Sequence, residues 1–236
     1  RNLPSMTGNF DELKKQLYAR MQKDATSTLY PELLIWVYIQ EEDFESAFLQ
    51  AKAMDKRLDE NGTRIFKLAQ MAVNEKQYDA AILSYEYIIN EKGKTCLYYI
   101  DSKQQLLATK RERLTAGYAY TQDQIKQLEG EYEAFLSEFG KSKKTSSIMM
   151  ELADLEAFYL NDLKKAIQIM EELINIPLLD RNQLAEAKLK LGDYYLMLGE
   201  IWEASLLYSQ VDKDMKDAPL GEMGRYKNAK LSYYKG

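Results

Sequence analysis

The residues best able to carry out chemistry are one cysteine, Cys96, and many carboxylates, because the chain contains no histidine. Without histidine, Ser-His and Cys-His nucleophile pairs, imidazole bases and histidine-containing zinc sites are excluded. Cys96 lies in an apolar stretch from residue 96 to residue 100, which favours a buried structural thiol over a reactive one. One thiol can form neither an internal disulfide nor a multi-thiolate metal site, and it leaves the redox compartment open.

The carboxylates are plentiful, but they are not arranged for acid-base catalysis. Glu41, Glu42 and Asp43 are adjacent, as are Glu171 and Glu172. Neighbouring residues on a helix point about 100° apart, so these side chains do not converge on one substrate atom. The pattern predicts solvated helix faces and charged helix starts.

Two stretches of the sequence match ligand-binding motifs only in part. Asp212 and Asp214 resemble the start of a calcium loop, but Asp217 occupies the position of the required turn glycine. The stretch 140–142, Gly-Lys-Ser, ends like a phosphate-binding loop, but Phe135 stands where the first glycine is required. The sequence therefore predicts no metal site and no nucleotide cofactor.

The net charge of −5 and the pI near 5.1 disfavour nucleic acid as a partner, because a phosphate backbone would meet general repulsion. Basic residues cluster at 110–113 and 141–144, but no aromatic side chains are interleaved with them for base stacking. We interpret these clusters as a solvated helix end and a charged loop.

A run of small and aromatic residues between positions 191 and 211 indicates the element that repeats along the chain. Gly192 and Ala204 lack bulk, so two helix backbones can approach, while Tyr208 fills the space beside them. The spacing resembles the 34-residue helix-turn-helix unit of tetratricopeptide repeat (TPR) proteins, and it is carried by Leu191, Gly192, Tyr195, Gly199, Ala204 and Tyr208. The resemblance implies an all-α fold, a right-handed α-α superhelix (solenoid) of stacked antiparallel helix pairs.

Ala204 has counterparts upstream, which we call the reference residues of the repeats. They are Leu13, Ala47, Ala81, Leu128 and Ala166, at intervals of 34, 34, 47, 38 and 38 residues up to Ala204. Each marks the second helix of a pair, and these helices are predicted near 9–24, 44–59, 78–91, 121–139, 162–175 and 201–213. Stacked repeats admit extra residues only in loops and at helix ends, so the longest interval predicts an insertion around 98–120 and an irregular unit at about 95–140.

Composition agrees with a single TPR-like domain over residues 1–236. Four prolines and 11 glycines leave few strand signals, and long Glu/Lys/Ala/Leu/Gln stretches favour helix. The chain starts at a second helix and ends on a first helix, with Gly236 at the position of Gly199. We therefore expect a segment of a larger bacterial-type solenoid, truncated within a repeat at both ends. The longest apolar run, 33–39, is shorter than the roughly 20 residues that cross a bilayer, so no membrane insertion is expected.

The resemblance implies a non-enzymatic scaffold that binds a protein or peptide in a concave groove lined by the first helices. The inward-facing positions predict five candidate contacts, which are Trp36, Phe66, Gln70, Leu155 and Asp193. The lysine and asparagine that clamp a terminal carboxylate in one variety of the family are missing there. We expect an apolar and aromatic groove with a few acids, suited to a segment with apolar anchors and some basic residues. Alternatively, Trp36, Phe66 and Phe158 pack against the next helix.

A second hypothesis is that the repeats form a spacer, sensory or self-association segment of a multidomain regulator or a cell-envelope assembly protein. Repeats cut at both ends favour it, because uncapped solenoid ends expose apolar surface. The sequence names neither the partner nor the oligomeric state. It favours the bacterial cell envelope or periplasm only slightly over the cytoplasm.

Overall fold

The computed structural model describes residues 10–117 and 120–235. Within these ranges the chain forms twelve α-helices and no β-strand, so the all-α prediction is confirmed. The helices are α1 (Phe10–Lys23), α2 (Leu29–Gln40), α3 (Phe44–Leu58), α4 (Thr63–Asn74), α5 (Tyr78–Tyr87), α6 (Tyr99–Thr115), α7 (Gln122–Phe139), α8 (Ser146–Leu155), α9 (Leu163–Ile174), α10 (Arg181–Leu198), α11 (Ile201–Asp214) and α12 (Pro219–Lys235). Gly236, which the repeat pattern included, lies outside the described residues.

The helices divide into two compact units, unit 1 over residues 1–117 and unit 2 over residues 118–236. In the repeat register, α1, α3, α5, α7, α9 and α11 stand at the six places of the second helices. The helices α2, α4, α8, α10 and α12 are then first helices. A single continuous domain over 1–236 stays a prediction.

The turn within a helix pair has the same backbone conformation in four repeats. Five residues before the reference alanine, the chain is left-handed with φ from 58° to 93°, at Glu42, Lys76, Asn161 and Gly199. A left-handed residue ends a helix because it breaks the run of helical hydrogen bonds. In two repeats an aspartate follows, and it caps the next helix: Asp43 accepts from Ser46 N at 3.0 Å and Asp162 from Lys165 N at 2.9 Å.

One first helix carries an additional residue. α8 runs into a π-helical turn, Glu156–Leu160, and the amide of Asp162 bonds the carbonyl of Glu156, six residues back. The equivalent amide of Glu200 bonds the carbonyl of Tyr195, only five residues back. Because a π-helical turn accommodates one extra residue, the residues of α8 are displaced by one position relative to other first helices.

Small residues allow the helices of a pair to pack closely. Four reference residues are fully buried, namely Ala47, Ala81, Ala166 and Ala204. A Cβ added to Gly192 would lie 2.6 Å from Cε1 of Tyr208, so this ring requires glycine where it crosses α10. The predicted packing of Gly192 beside Tyr208 is confirmed.

Candidate functional site

Unit 1 contains a cleft between α2 and α4, which are first helices of consecutive repeats. Its volume is about 490 Å³, within the range of roughly 300–1,000 Å³ that is usual for ligand pockets. Ile35 and Leu68 are buried in its wall, and Ile39 and Met71 extend the apolar lining. The cleft can therefore accept apolar side chains.

The charged residues of this cleft differ in whether they have a partner. Arg64 bonds Glu60 at 2.7 Å and Glu32 at 3.1 Å, and these hydrogen bonds, that of Glu60 first, raise the pKa of Arg64. Lys67 also lines the cleft and is exposed. Among the described residues, no carboxylate forms an ion pair with Lys67, so its positive charge is uncompensated.

Unit 2 contains a similar cleft bounded by α10, α11 and α12. Its volume is about 420 Å³. The lining is mostly apolar, with Leu196, Ile201, Met223 and Leu231 contributing, and Tyr226 stands exposed beside them. Like the cleft of unit 1, it lies between the first helices of consecutive repeats.

The lysine in this second cleft is compensated inside the protein. Lys227 Nζ bonds Asp193 Oδ1 and Oδ2 at 2.7 and 2.8 Å, and Nζ lies 5.7 Å from the centroid of the Tyr208 ring. Tyr208 donates to Asp193 Oδ1 at 2.7 Å. Burial, and then the bond to Asp193, raise the pKa of Tyr208, which therefore stays a hydrogen-bond donor. Asp193 thus holds the wall of the cleft together.

A second aspartate–lysine pair joins α8 and α10. Lys190 Nζ lies 2.5 Å from Asp154 Oδ2, and Tyr194 donates to Asp154 Oδ1 at 2.5 Å. Asp154 stands 12 residues before its reference alanine and Asp193 stands 11 before its own. The additional residue of the π-helical turn accounts for the difference, so both aspartates occupy one structural position. Each pairs with a lysine of the next first helix.

Solved structures share this architecture, whereas no protein-family model and no curated protein sequence match the chain. The structure of BtubC (BKLC) from P. vanneervenii aligns with a TM-score of 0.54 at 17% identity, over 89% of this chain and 88% of that one. The structure of TTC0263, a thermophilic TPR protein of Thermus thermophilus, aligns with a TM-score of 0.54 at 13% identity, over 88% of this chain and 100% of that one. The structure of MamA aligns with a TM-score of 0.51 at 15% identity, over 82% of this chain and 95% of that one. The chain has the tetratricopeptide repeat fold.

Two of the predicted contacts are part of the core of this TPR fold. Phe66 is buried, stacks on Tyr98 with ring centroids 4.7 Å apart, and meets Tyr85 edge-on at 5.9 Å. Leu155 is fully buried, because the π-helical turn displaces it and leaves Asp154 at the inward position. Neither side chain is therefore available to a partner at the surface.

The other three predicted contacts are at or near the surface. Trp36 is 49% exposed and meets Phe10 edge-on, with ring centroids 6.3 Å apart. Gln70 is exposed on α4. Asp193 lines the cleft of unit 2, where Lys227 already occupies its carboxylate. The structure does not bring all five residues to one cleft.

Sequence reasoning missed the residues that line the α4 side of the unit 1 cleft. Lys67 and Met71 are four residues apart and so share a helix face, whereas the predicted stripe ran through Phe66 and Gln70. The repeat position of Lys67 is a feature of the sequence from which this face could have been predicted. Lys67 lies 14 residues before its reference alanine, and so does Lys190.

A third group of charges lies in unit 2, around Lys165. Lys165 Nζ bonds Glu129 and lies 2.9 Å from Glu133 and 2.7 Å from Glu156. One oxygen from each carboxylate lies within 4.8 Å of the others, a spacing that could hold a metal ion. The Lys165 ammonium already supplies a positive charge to all three, so we interpret the group as a structural ion-pair network.

The remaining sequence predictions concern Cys96 and membrane insertion. Cys96 is buried, and its thiol donates to the carbonyl oxygen of Asn61 at 3.2 Å, so the predicted burial of this thiol is confirmed. Among the described residues, no helix combines the length and apolar character that crossing a bilayer requires.

Proposed function

We propose that this chain is a non-enzymatic scaffold that binds segments of partner proteins in the clefts between consecutive first helices. The observation that carries the proposal is the pair of clefts, of about 490 and 420 Å³, one in each unit. Both are lined by apolar side chains, with charged groups beside them. Grooves of this kind bind peptides by accepting apolar anchors, while the polar groups confer specificity.

The chemistry of the side chains also supports a binding role over catalysis. The chain has no histidine, and its one thiol is buried. Glu156 has a pKa raised by burial to about 7, which would suit an acid-base catalyst. Its side chain is only 2% exposed and faces Lys165, so a substrate has no access to it.

The experiment that tests the proposal is a selection of display-library peptides on the full chain, followed by fluorescence anisotropy with synthetic copies. Met71→Glu and Met223→Glu each place a carboxylate in one cleft. Each carboxylate replaces an apolar contact and lies four residues from a cleft lysine, Lys67 or Lys227. Each is therefore expected to weaken binding at its own cleft by about 10-fold or more. Leu49→Glu is the matched control, since Leu49 is 61% exposed and lies outside both clefts. Affinities that stay unchanged in both cleft variants, with intact circular dichroism spectra, would refute the proposal.

A second candidate function, self-association, is favoured by one exposed face of α2. Leu29, Leu33 and Trp36 are 55%, 40% and 49% exposed, and their spacing places them on one stripe of the helix. Such a role would suit a spacer or a cell-envelope assembly protein. Sedimentation velocity over a range of concentrations tests it: Leu33→Glu should reduce association and Leu49→Glu should not. A wild-type chain that stays monomeric throughout would exclude this role for the stripe.

A further inference from the structure

In unit 2, a lysine of a first helix pairs with an aspartate of the preceding first helix in two places. Asp154 pairs with Lys190 at 2.5 Å, and Asp193 pairs with Lys227 at 2.7 and 2.8 Å. Each lysine is thereby neutralised within the protein.

In unit 1 the corresponding positions hold a lysine, Lys67, and a tryptophan, Trp36, instead of a lysine and an aspartate. Lys67 occupies the repeat position of Lys190, since each lies 14 residues before the reference alanine of its repeat. Trp36 occupies the position of Asp193, 11 residues before the reference alanine. The helix α2 therefore supplies no carboxylate at the position from which unit 2 supplies one.

Two carboxylates beside this cleft are bonded by Arg64 and not by Lys67. Glu60 and Glu32 both bond Arg64, at 2.7 and 3.1 Å. Lys67 therefore presents an uncompensated ammonium in a cleft whose wall includes Ile35. An ammonium beside an apolar cavity is complementary to a carboxylate beside apolar side chains.

We propose that the α2–α4 cleft binds an internal segment of a partner protein in which an Asp or Glu side chain lies next to large apolar residues. The carboxylate pairs with Lys67 as Asp154 pairs with Lys190 in unit 2. This inference rests on the proposed function and adds the charge of the ligand, which is opposite to the basic partner expected from the sequence alone. A single lysine with Glu32 and Glu60 nearby suits one carboxylate, and the net charge of −5 disfavours a polyanion.

The test uses peptides enriched from a display library on the full chain, synthesised with amidated C termini and titrated against three proteins. These are the wild type, Lys67→Glu and the control Lys15→Glu, which makes the same charge change at an exposed position of α1. We expect enriched peptides to carry Asp or Glu beside apolar residues and to bind Lys67→Glu about 10-fold more weakly. The control should bind them as the wild type does, and changing the peptide's acidic residue to Lys should restore binding to Lys67→Glu.

The outcomes separate this inference from the proposed function. Peptides that lose affinity for Met71→Glu but bind Lys67→Glu as well as the wild type would overturn the inference and leave the proposed function standing. Peptides indifferent to both variants, or a library without enriched binders, would sink both. Enriched peptides that bind with a free C-terminal carboxylate but not when amidated would overturn the inference, because the ligand would then be a chain end and not an internal side chain.

Discussion

Replacing Glu156 by glutamine tests whether one buried carboxyl makes unit 2 less stable as the pH rises. Glu156 starts the π-helical turn that follows α8, and its side chain is 2% exposed. Lys165 Nζ lies 2.7 Å from its Oε1 and also contacts Glu129 and Glu133. One ammonium is thus in contact with three carboxylates, and the most buried of the three is that of Glu156.

The pKa values of the pair Glu156 and Glu129 move in opposite directions. Burial is the main cause that raises the pKa of Glu156 from its ordinary 4.5 to about 7, with the hydrogen bond and charge of Glu129 adding to it and Lys165 opposing it. For Glu129, burial acts in the same sense, but the hydrogen bonds of Lys165 and Glu156 outweigh it and lower the pKa. Glu156 is therefore the carboxyl that retains a proton near neutral pH.

The effect on stability follows from this difference in proton affinity. Because the folded carboxyl binds its proton more tightly than the unfolded one, the folded state carries more protons between pH 4.5 and about 7. The contribution of Glu156 to stability is complete below that window and is lost as the pH rises through it. At about 1.4 kcal/mol per pKa unit, the loss is about 3 kcal/mol.

Urea unfolding followed by far-ultraviolet circular dichroism, at about pH 5 and about pH 8, measures this loss. A glutamine has no proton to lose, so relative to the wild type Glu156→Gln should gain about 2.5 kcal/mol between the two pH values, which is the part of the loss that falls above pH 5. Glu186→Gln, the same change at an exposed position of α10, should differ from the wild type equally at both. If Glu156→Gln also differs equally at both, the protonated carboxyl is not the cause and the reasoning is wrong.

Three further substitutions probe the packing, each measured by urea unfolding. Gly192→Ala should lower the free energy of unfolding by about 1–3 kcal/mol, because its Cβ would lie 2.6 Å from Cε1 of Tyr208. Gly130→Ala, where a Cβ meets no atom within 4 Å among the described residues, should raise it by about 0.5–1 kcal/mol; equal effects of the two alanines would contradict the assigned contact. Asp55→Asn should lower it by about 3 kcal/mol, because fully buried Asp55 bonds Lys92 at 2.6 Å; a loss below about 1 kcal/mol would show that this pair is dispensable.

The helix pairs could be predicted from the sequence because their packing depends on the size of a few local residues. Ala81 and Ala204 stand where helices cross and are fully buried, and Gly192 faces Tyr208. The cleft of unit 1 could not be predicted in this way. Its lining depends on how one pair packs against the next, and the repeat register assigned the inward face of α4 to Gln70 where the structure has Lys67.

A single local irregularity was enough to misplace Leu155. Counting back from Ala166 assigns Leu155 to the inward position, but the π-helical turn inserts one residue between them, and Asp154 takes that position. A one-residue shift turns a helical side chain by about 100°, which here exchanges a buried leucine for a paired carboxylate. No glycine or proline marks the turn, so residue types alone did not reveal it.

The comparison of the two units separates what holds the repeat together from what the cleft can bind. Ala47 and Ala204 fix the helix pairs in both units and are fully buried. In both units the lysine of the following first helix, Lys67 or Lys227, lines the cleft whether or not it has an ion-pair partner. In unit 2 the preceding first helix has Asp193 at this position, and Asp193 pairs with the Lys227 ammonium at 2.7 Å. In unit 1 the same position is Trp36, so the ammonium of Lys67 stays available to a partner. One residue of the preceding first helix therefore decides whether the cleft presents a charge to a partner, so ligand preference can change from repeat to repeat while the helix pairs stay the same.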